Sequence, residues 1–215
     1  MVSTRSAGLA GMIGAAGFAV VVVFLTFAQF GFMVELGWKP LGSSDVPWPS
    51  GLALGSLGWL QVLNFAFFGL TLIVFALGLH RGVAPSERLS WAGPAFLMAA
   101  GVALVLAAFK ADPHTMQGPQ TWHGSIHLLA FLLLVLSFLL ALFFWWRRLS
   151  RDPRWRGYAT YTLITALLYV VLLFASIWQW GFYLFLANVL LWVELIALQL
   201  RRTAEIPSVS ASRVR

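Results

Sequence analysis

Across residues 157–200 the sequence carries a single formally charged side chain, Glu194. One bilayer crossing takes about 20 residues, so a stretch this apolar is long enough to cross twice. It divides best at "SIWQWGF", residues 176–182, where polar groups, tryptophans and a glycine mark an interfacial turn. Four further apolar runs precede it. The expected spans are about 7–34, 58–79, 89–109, 123–146, 158–177 and 182–200. The chain therefore reads as all-α: a polytopic integral membrane protein, with a six-transmembrane-helix bundle over 7–200. Residues 1–6 precede it, and 201–215 form a polar tail expected to be disordered.

Composition agrees with a lipid solvent. Hydrophobic residues make up 60% of the chain and charged ones 10%, where soluble domains carry about 25%. The first run is too long for a secretory h-region of about 7–15 residues, so it reads as a retained span. There is no cysteine, which excludes disulfides, thiolate metal sites and cysteine nucleophiles. The net charge of +7 does not point to nucleic acid, because no basic face with interleaved aromatics is present. The arginines instead flank the apolar runs.

Those arginines set the orientation. Arg5, Arg81, Arg88, Arg147, Arg148, Arg151, Arg154, Arg156, Arg201, Arg202, Arg213 and Arg215 all fall on one side of a six-span arrangement. Lys39 and Lys110 fall on the other. The positive-inside rule then places both termini in the cytoplasm of a protein of the cell membrane. Five or seven spans would scatter the arginines over both faces.

Three of the four histidines lie in "ADPHTMQGPQTWHGSIH", residues 111–127, between the third and fourth spans on the outer side. His123 and His127 are four apart and share a helix face, the spacing by which two imidazoles grip one metal ion. With Asp112 and His114 folded back over them, they would form a zinc-like divalent site with an open position for water. A metalloprotease glutamate between the histidines is absent. A structural alternative gives Asp112 a turn before Pro113, Thr121 the cap of span four, and His127 a bond to a neighbouring span. A third reading docks an anion such as a lipid phosphate at the amino end of span four, near His123 and Lys110. Ser125 is two residues from His123 and does not face it on a helix, which argues against a hydrolase built on that pair.

Polar groups inside spans cost free energy and need a reason. Gln29, Gln61, Asn64 and Asn188 fall in the outer half and would either ring the same cavity or bond helix to helix. Glu194 falls in the inner half, suited to a proton relay or to pairing with an arginine. Gly8, Gly11, Gly14 and Gly17 form a small-residue stripe on span one, for packing within the chain or for a homo-oligomer seam. The loop over 35–58, rich in proline, glycine and tryptophan, is expected to be irregular and to lie on the headgroup layer.

Two segments carry a family likeness. "WPSGLALGSLGWLQVLNFAFFGL" enters span two, and "FKADPHTMQGPQTWHGSIHLLAF" joins spans three and four. Together they resemble the bacterial and archaeal six-pass membrane family catalogued as domain of unknown function 998, over roughly residues 10–200. Phe109, Asp112, Pro113, Gly124 and His127 carry the most specific part. Lys110 and Ala111, between the phenylalanine and the Asp-Pro, depart from its pattern. The resemblance implies a six-span fold and no settled activity. Its distant similarity to eukaryotic six-pass proteins of lipid-anchor remodelling and membrane-lipid organisation implies membrane lipid as the partner.

The functional expectation is a lipid-interacting multi-pass membrane protein with an outward-facing polar pocket. Catalytic candidates are Asp112, His123 and His127. Ligand-binding candidates are Gln61, Asn64, Lys110 and Asn188. The alternatives are a metal-dependent hydrolase of a lipid or ester, and a small-solute or proton-coupled transporter. The transporter reading lacks the paired interrupted spans expected of it.

Overall fold

The computed structural model describes residues 3–43, 45–114 and 117–205. Every regular element among them is helical. We number the helices α1 (Thr4–Ala28), α2 (Phe30–Glu35), α3 (Gly58–Gly82), α4 (Ala92–Leu106), α5 (Trp122–Leu149), α6 (Arg156–Ala175) and α7 (Gln179–Glu205). Short 3-10 turns at Ser50–Leu54, Pro85–Leu89 and Pro153–Trp155 punctuate the connections. The long helices α1, α3, α5, α6 and α7 are apolar enough to cross a membrane, and α4 is a shorter apolar helix of 15 residues.

The six principal helices form a ring. Each packs on its neighbour in sequence, α1 on α3, then α4, α5, α6 and α7, and α7 closes back onto α1. Alternating direction gathers the described arginines at one end of the ring and Lys39 and Lys110 at the other. Both ends of the described chain, Ser3 and Glu205, therefore lie on the arginine-rich side.

Small residues set the closest crossings. A Cβ on Gly69 would meet the Gly101 carbonyl at 2.5 Å, and one on Gly101 would meet the Gly69 carbonyl at 2.7 Å. Backbone thus runs against backbone where α3 crosses α4. The stripe on α1 packs within the chain: Gly8 faces Arg201 and Ala197, Gly11 faces Ala197 and Phe75, and Gly14 faces Thr71 and Phe68. Gly17 alone has nothing within 4 Å of a built Cβ. Three of the four positions weighed for a homo-oligomer seam are therefore covered by α3 and α7.

Three span boundaries differ from expectation. Span one is broken at Gln29, whose side chain turns to the first loop: it donates to the Leu52 carbonyl (2.9 Å) and accepts from the Leu57 N–H (3.0 Å). Span three is helical only from Ala92 to Leu106, because residues 85–89 form a 3-10 turn and the N–H groups of 108 and 109 bond three residues back. The last helix continues through Glu205, so the first residues of the expected tail are helical; residues 206–215 lie outside those described.

The first loop is a folded cap whose tryptophans pack onto the helices. Trp38 is 3% exposed and donates its indole N–H to Gln179 (3.3 Å). Trp48 donates to Thr26 (3.0 Å) and meets the Tyr183 ring edge-on at 4.5 Å. Val46, Leu52 and Ala53 are buried. A backbone bond from the Gln179 N–H to the Gly42 carbonyl, and a side-chain bond from the Tyr183 hydroxyl to the Pro40 carbonyl, pin the cap to α7. The tryptophans turn inward because the loop has an open ring end to cover.

Candidate functional site

Asp112 organises the outer end of α5. Its Oδ2 accepts from the backbone N–H groups of Gln120 (2.7 Å) and Thr121 (3.2 Å), and its Oδ1 accepts from the Thr121 hydroxyl (2.7 Å). Thr121 in turn accepts from the Gly124 N–H (3.0 Å) and caps the helix, as the sequence suggests. The carboxylate lies so close over Gly124 that a Cβ there would strike Oδ2. The Thr121 hydroxyl bond, with the two backbone donors, holds the Asp112 carboxyl below the usual carboxylate range. The aspartate before proline and the glycine three residues before His127 thus have one explanation: an anion clamped on the first turn of α5.

His127 faces into the ring one turn below. Its Nδ1 lies 2.9 Å from the Ala107 carbonyl and 2.7 Å from that of Phe109. Both oxygens can only accept, so Nδ1 carries the proton. In the neutral ring Nε2 is then bare, and the Ser50 hydroxyl 2.9 Å away donates to it. The carbonyls are free because α4 ends at Leu106. Ser50 is supplied by the first 3-10 turn of the cap, 77 residues away in sequence. Ser50 was not among the sequence candidates. The "WPSG" run that presents it was visible, but nothing local connects it to His127.

Two cavities share this pair in their walls. The outer one, about 390 Å³, is lined by Asp112, His114, Ser50, Gln179, His127 and residues of the cap. Its volume lies in the range typical of ligand sites. Its rim includes Leu128 and Ile177, which are 41% and 59% exposed, so it opens sideways between α5 and the α6–α7 turn. The inner one, about 80 Å³, runs down the ring axis between Phe18, Phe68, Leu104, Leu134, Tyr169 and Val189, so all six principal helices contribute to its wall. Ser50, His127, Phe131 and Phe182 line both.

The remaining candidates are elsewhere. His123 is half-buried, and its Nδ1 is directed at the Lys110 carbonyl (2.9 Å) and Thr121 (3.0 Å); it lines neither cavity. His114 sits at the mouth, 3.5 Å from Asp45. Gln61 and Asn64 bond to each other (3.2 Å) and to the carbonyls of Pro49 (3.4 Å) and Phe18 (3.3 Å). Asn188 joins α7 to α6 through the Thr165 carbonyl (3.1 Å). Lys110 is exposed and, like these amides, does not line either cavity. The set weighed for zinc is not gathered: among the described residues no three of His, Cys, Asp and Glu come together as a metal site. The physical reason is that Asp112 is committed to the α5 cap and both ring nitrogens of His127 to protein partners. Glu194 Oε2 is buried with no hydrogen-bond partner, and the structure gives it no ion pair among the described residues.

The family model described as "Protein of unknown function (DUF998)" matches residues 48–201. The chain belongs to the DUF998 family. The match begins in the cap, two residues before Ser50, and ends near the close of α7. Comparisons with curated proteins and with solved structures return no match. Family and fold together make this a multi-pass α-helical membrane protein.

Proposed function

We propose that the protein binds a membrane lipid of the outer leaflet of the cell membrane, with its termini in the cytoplasm. The headgroup would occupy the wide outer cavity and the start of one acyl chain the axial crevice. The observation that carries this reading is the contrast between two adjoining cavities that share Ser50, His127, Phe131 and Phe182 in their walls. The outer chamber offers Asp112, His114, Ser50 and Gln179, while the inner one is walled almost wholly by apolar side chains. An amphiphile matches that division, and a small polar solute does not. The sideways opening beside Leu128 and Ile177 suits a ligand arriving from the bilayer rather than from water. The arginine-rich end supports the orientation.

The test is lipid analysis of protein purified in mild detergent. Wild type should retain about one lipid per chain. Leu134→Trp, which fills the crevice, should lose most of it while still folding. Wild type free of lipid, or full retention in Leu134→Trp, would sink the reading.

A further inference from the structure

Resting on that pocket reading, we propose that Ser50 and His127 form a nucleophile–base pair that cleaves a carboxylic ester of the bound lipid. Two observations and one estimate from helix length carry the proposal. The first is geometry. A serine hydroxyl donating to a bare imidazole nitrogen at 2.9 Å, with the other nitrogen's proton held by fixed acceptors, is the arrangement that activates a serine. Here the orienting acceptors are the Ala107 and Phe109 carbonyls rather than a carboxylate. The second is access: Ser50 is only half-buried and lines both cavities.

The third is depth. The 28 residues of α5 measure about 42 Å at 1.5 Å per residue. Centred on a hydrocarbon layer of about 30 Å, the helix projects about 6 Å beyond each face. His127, five residues after Trp122, then lies about 7.5 Å from the helix start. That is the boundary between headgroup and hydrocarbon, where an acyl ester joins the two parts of a glycerolipid.

The chemistry balances with water as the co-reactant. Ser50 Oγ attacks the ester carbonyl while His127 Nε2 takes its proton. The tetrahedral adduct collapses, the ester C–O bond breaks, and His127 returns the proton to the leaving alcohol. Water entering by the outer cavity then attacks the acyl-serine with His127 again as base. The fatty acid leaves and the Ser50 hydroxyl is restored.

The experiment incubates the full chain in nanodiscs of phosphatidylcholine and phosphatidylglycerol with an alkyl fluorophosphonate, and maps the adduct by mass spectrometry. Expected is one adduct, on Ser50, absent in Ser50→Ala. Its formation should slow at least about 100-fold in His127→Gln, the lower end of a general base's contribution. Ser125→Ala, whose hydroxyl lies on the first turn of α5 but bonds the Thr121 carbonyl and lines neither cavity, should label like wild type. Wild-type nanodiscs should also accumulate free fatty acid, and those of Ser50→Ala should not. Folded wild type with Ser50 unlabelled, labelling unchanged in His127→Gln, or no fatty acid released would each overturn the proposal. Lipid retained in Ser50→Ala beside an inert Ser50 leaves the binding reading standing and removes only the catalysis. A labelled Ser50 that releases fatty acid, in protein that retains no lipid on purification, removes only the tight-binding reading.

Discussion

Asp112 takes three hydrogen bonds on two oxygens, and its neutral form would forfeit part of them. Because its folded pKa is depressed, its stabilisation is complete above the unfolded value of about 3.9 and is lost as pH falls through the lower folded value. Wild type should therefore hold its melting temperature down to about pH 5 and lose it below about pH 4. Asp152 is lowered as well: burial alone would raise it, but bonds from the Arg154 side chain and from the Arg154 and Ala84 N–H groups outweigh that. Comparison with Asp112→Asn isolates the outer clamp. That variant should melt lower at neutral pH and show a shallower acid slope, as measured by thermal scans across pH. A slope identical to wild type would show that the carboxylate adds nothing. The parts of this clamp were legible in sequence, Asp112 as a turn residue and Thr121 as the cap of span four, but the bond that joins them was not. The Ser50–His127 pair was not, because only tertiary folding brings the cap to α5.

Among the helices, α3 and α4 approach most closely in backbone terms at Gly69 and Gly101. Gly101→Leu should force them apart and destabilise by about 1–3 kcal/mol, the usual range for overpacking. Gly17→Ala, with open space around its new methyl, should stay within about 0.5 kcal/mol of wild type. Denaturation in matched detergent would check the contrast, and equal effects would contradict it. Apolar runs gave the six principal helices and their order, and missed the break that makes α2 a separate helix. They misplaced the ends of α4, because hydropathy records the solvent a residue tolerates and not where its backbone stops bonding to itself. The difference matters, since the unwound carbonyls at 107 and 109 are those His127 takes.

At the scale of the molecule, the absence of cysteine makes orientation directly measurable. A cysteine placed at Gln117 should react in intact cells with a membrane-impermeant maleimide. One placed at Arg151, on the arginine-rich end, should react only after permeabilisation. The reverse pattern would invert the topology. The six-span ring and its charge asymmetry could be read from the chain, because each span reports its own lipid exposure. The enclosed axis could not, since it arises only when α7 closes on α1. That axis has a thermodynamic consequence. An occupant wedged there contacts every principal helix at once and is bound by the folded ring alone, so it behaves as a core side chain supplied from outside. At a concentration 100 times its dissociation constant it would add about 2.7 kcal/mol to the folded state. Folding and lipid supply would then be a single linked equilibrium, and stripping the chain of lipid would amount to deleting part of its core.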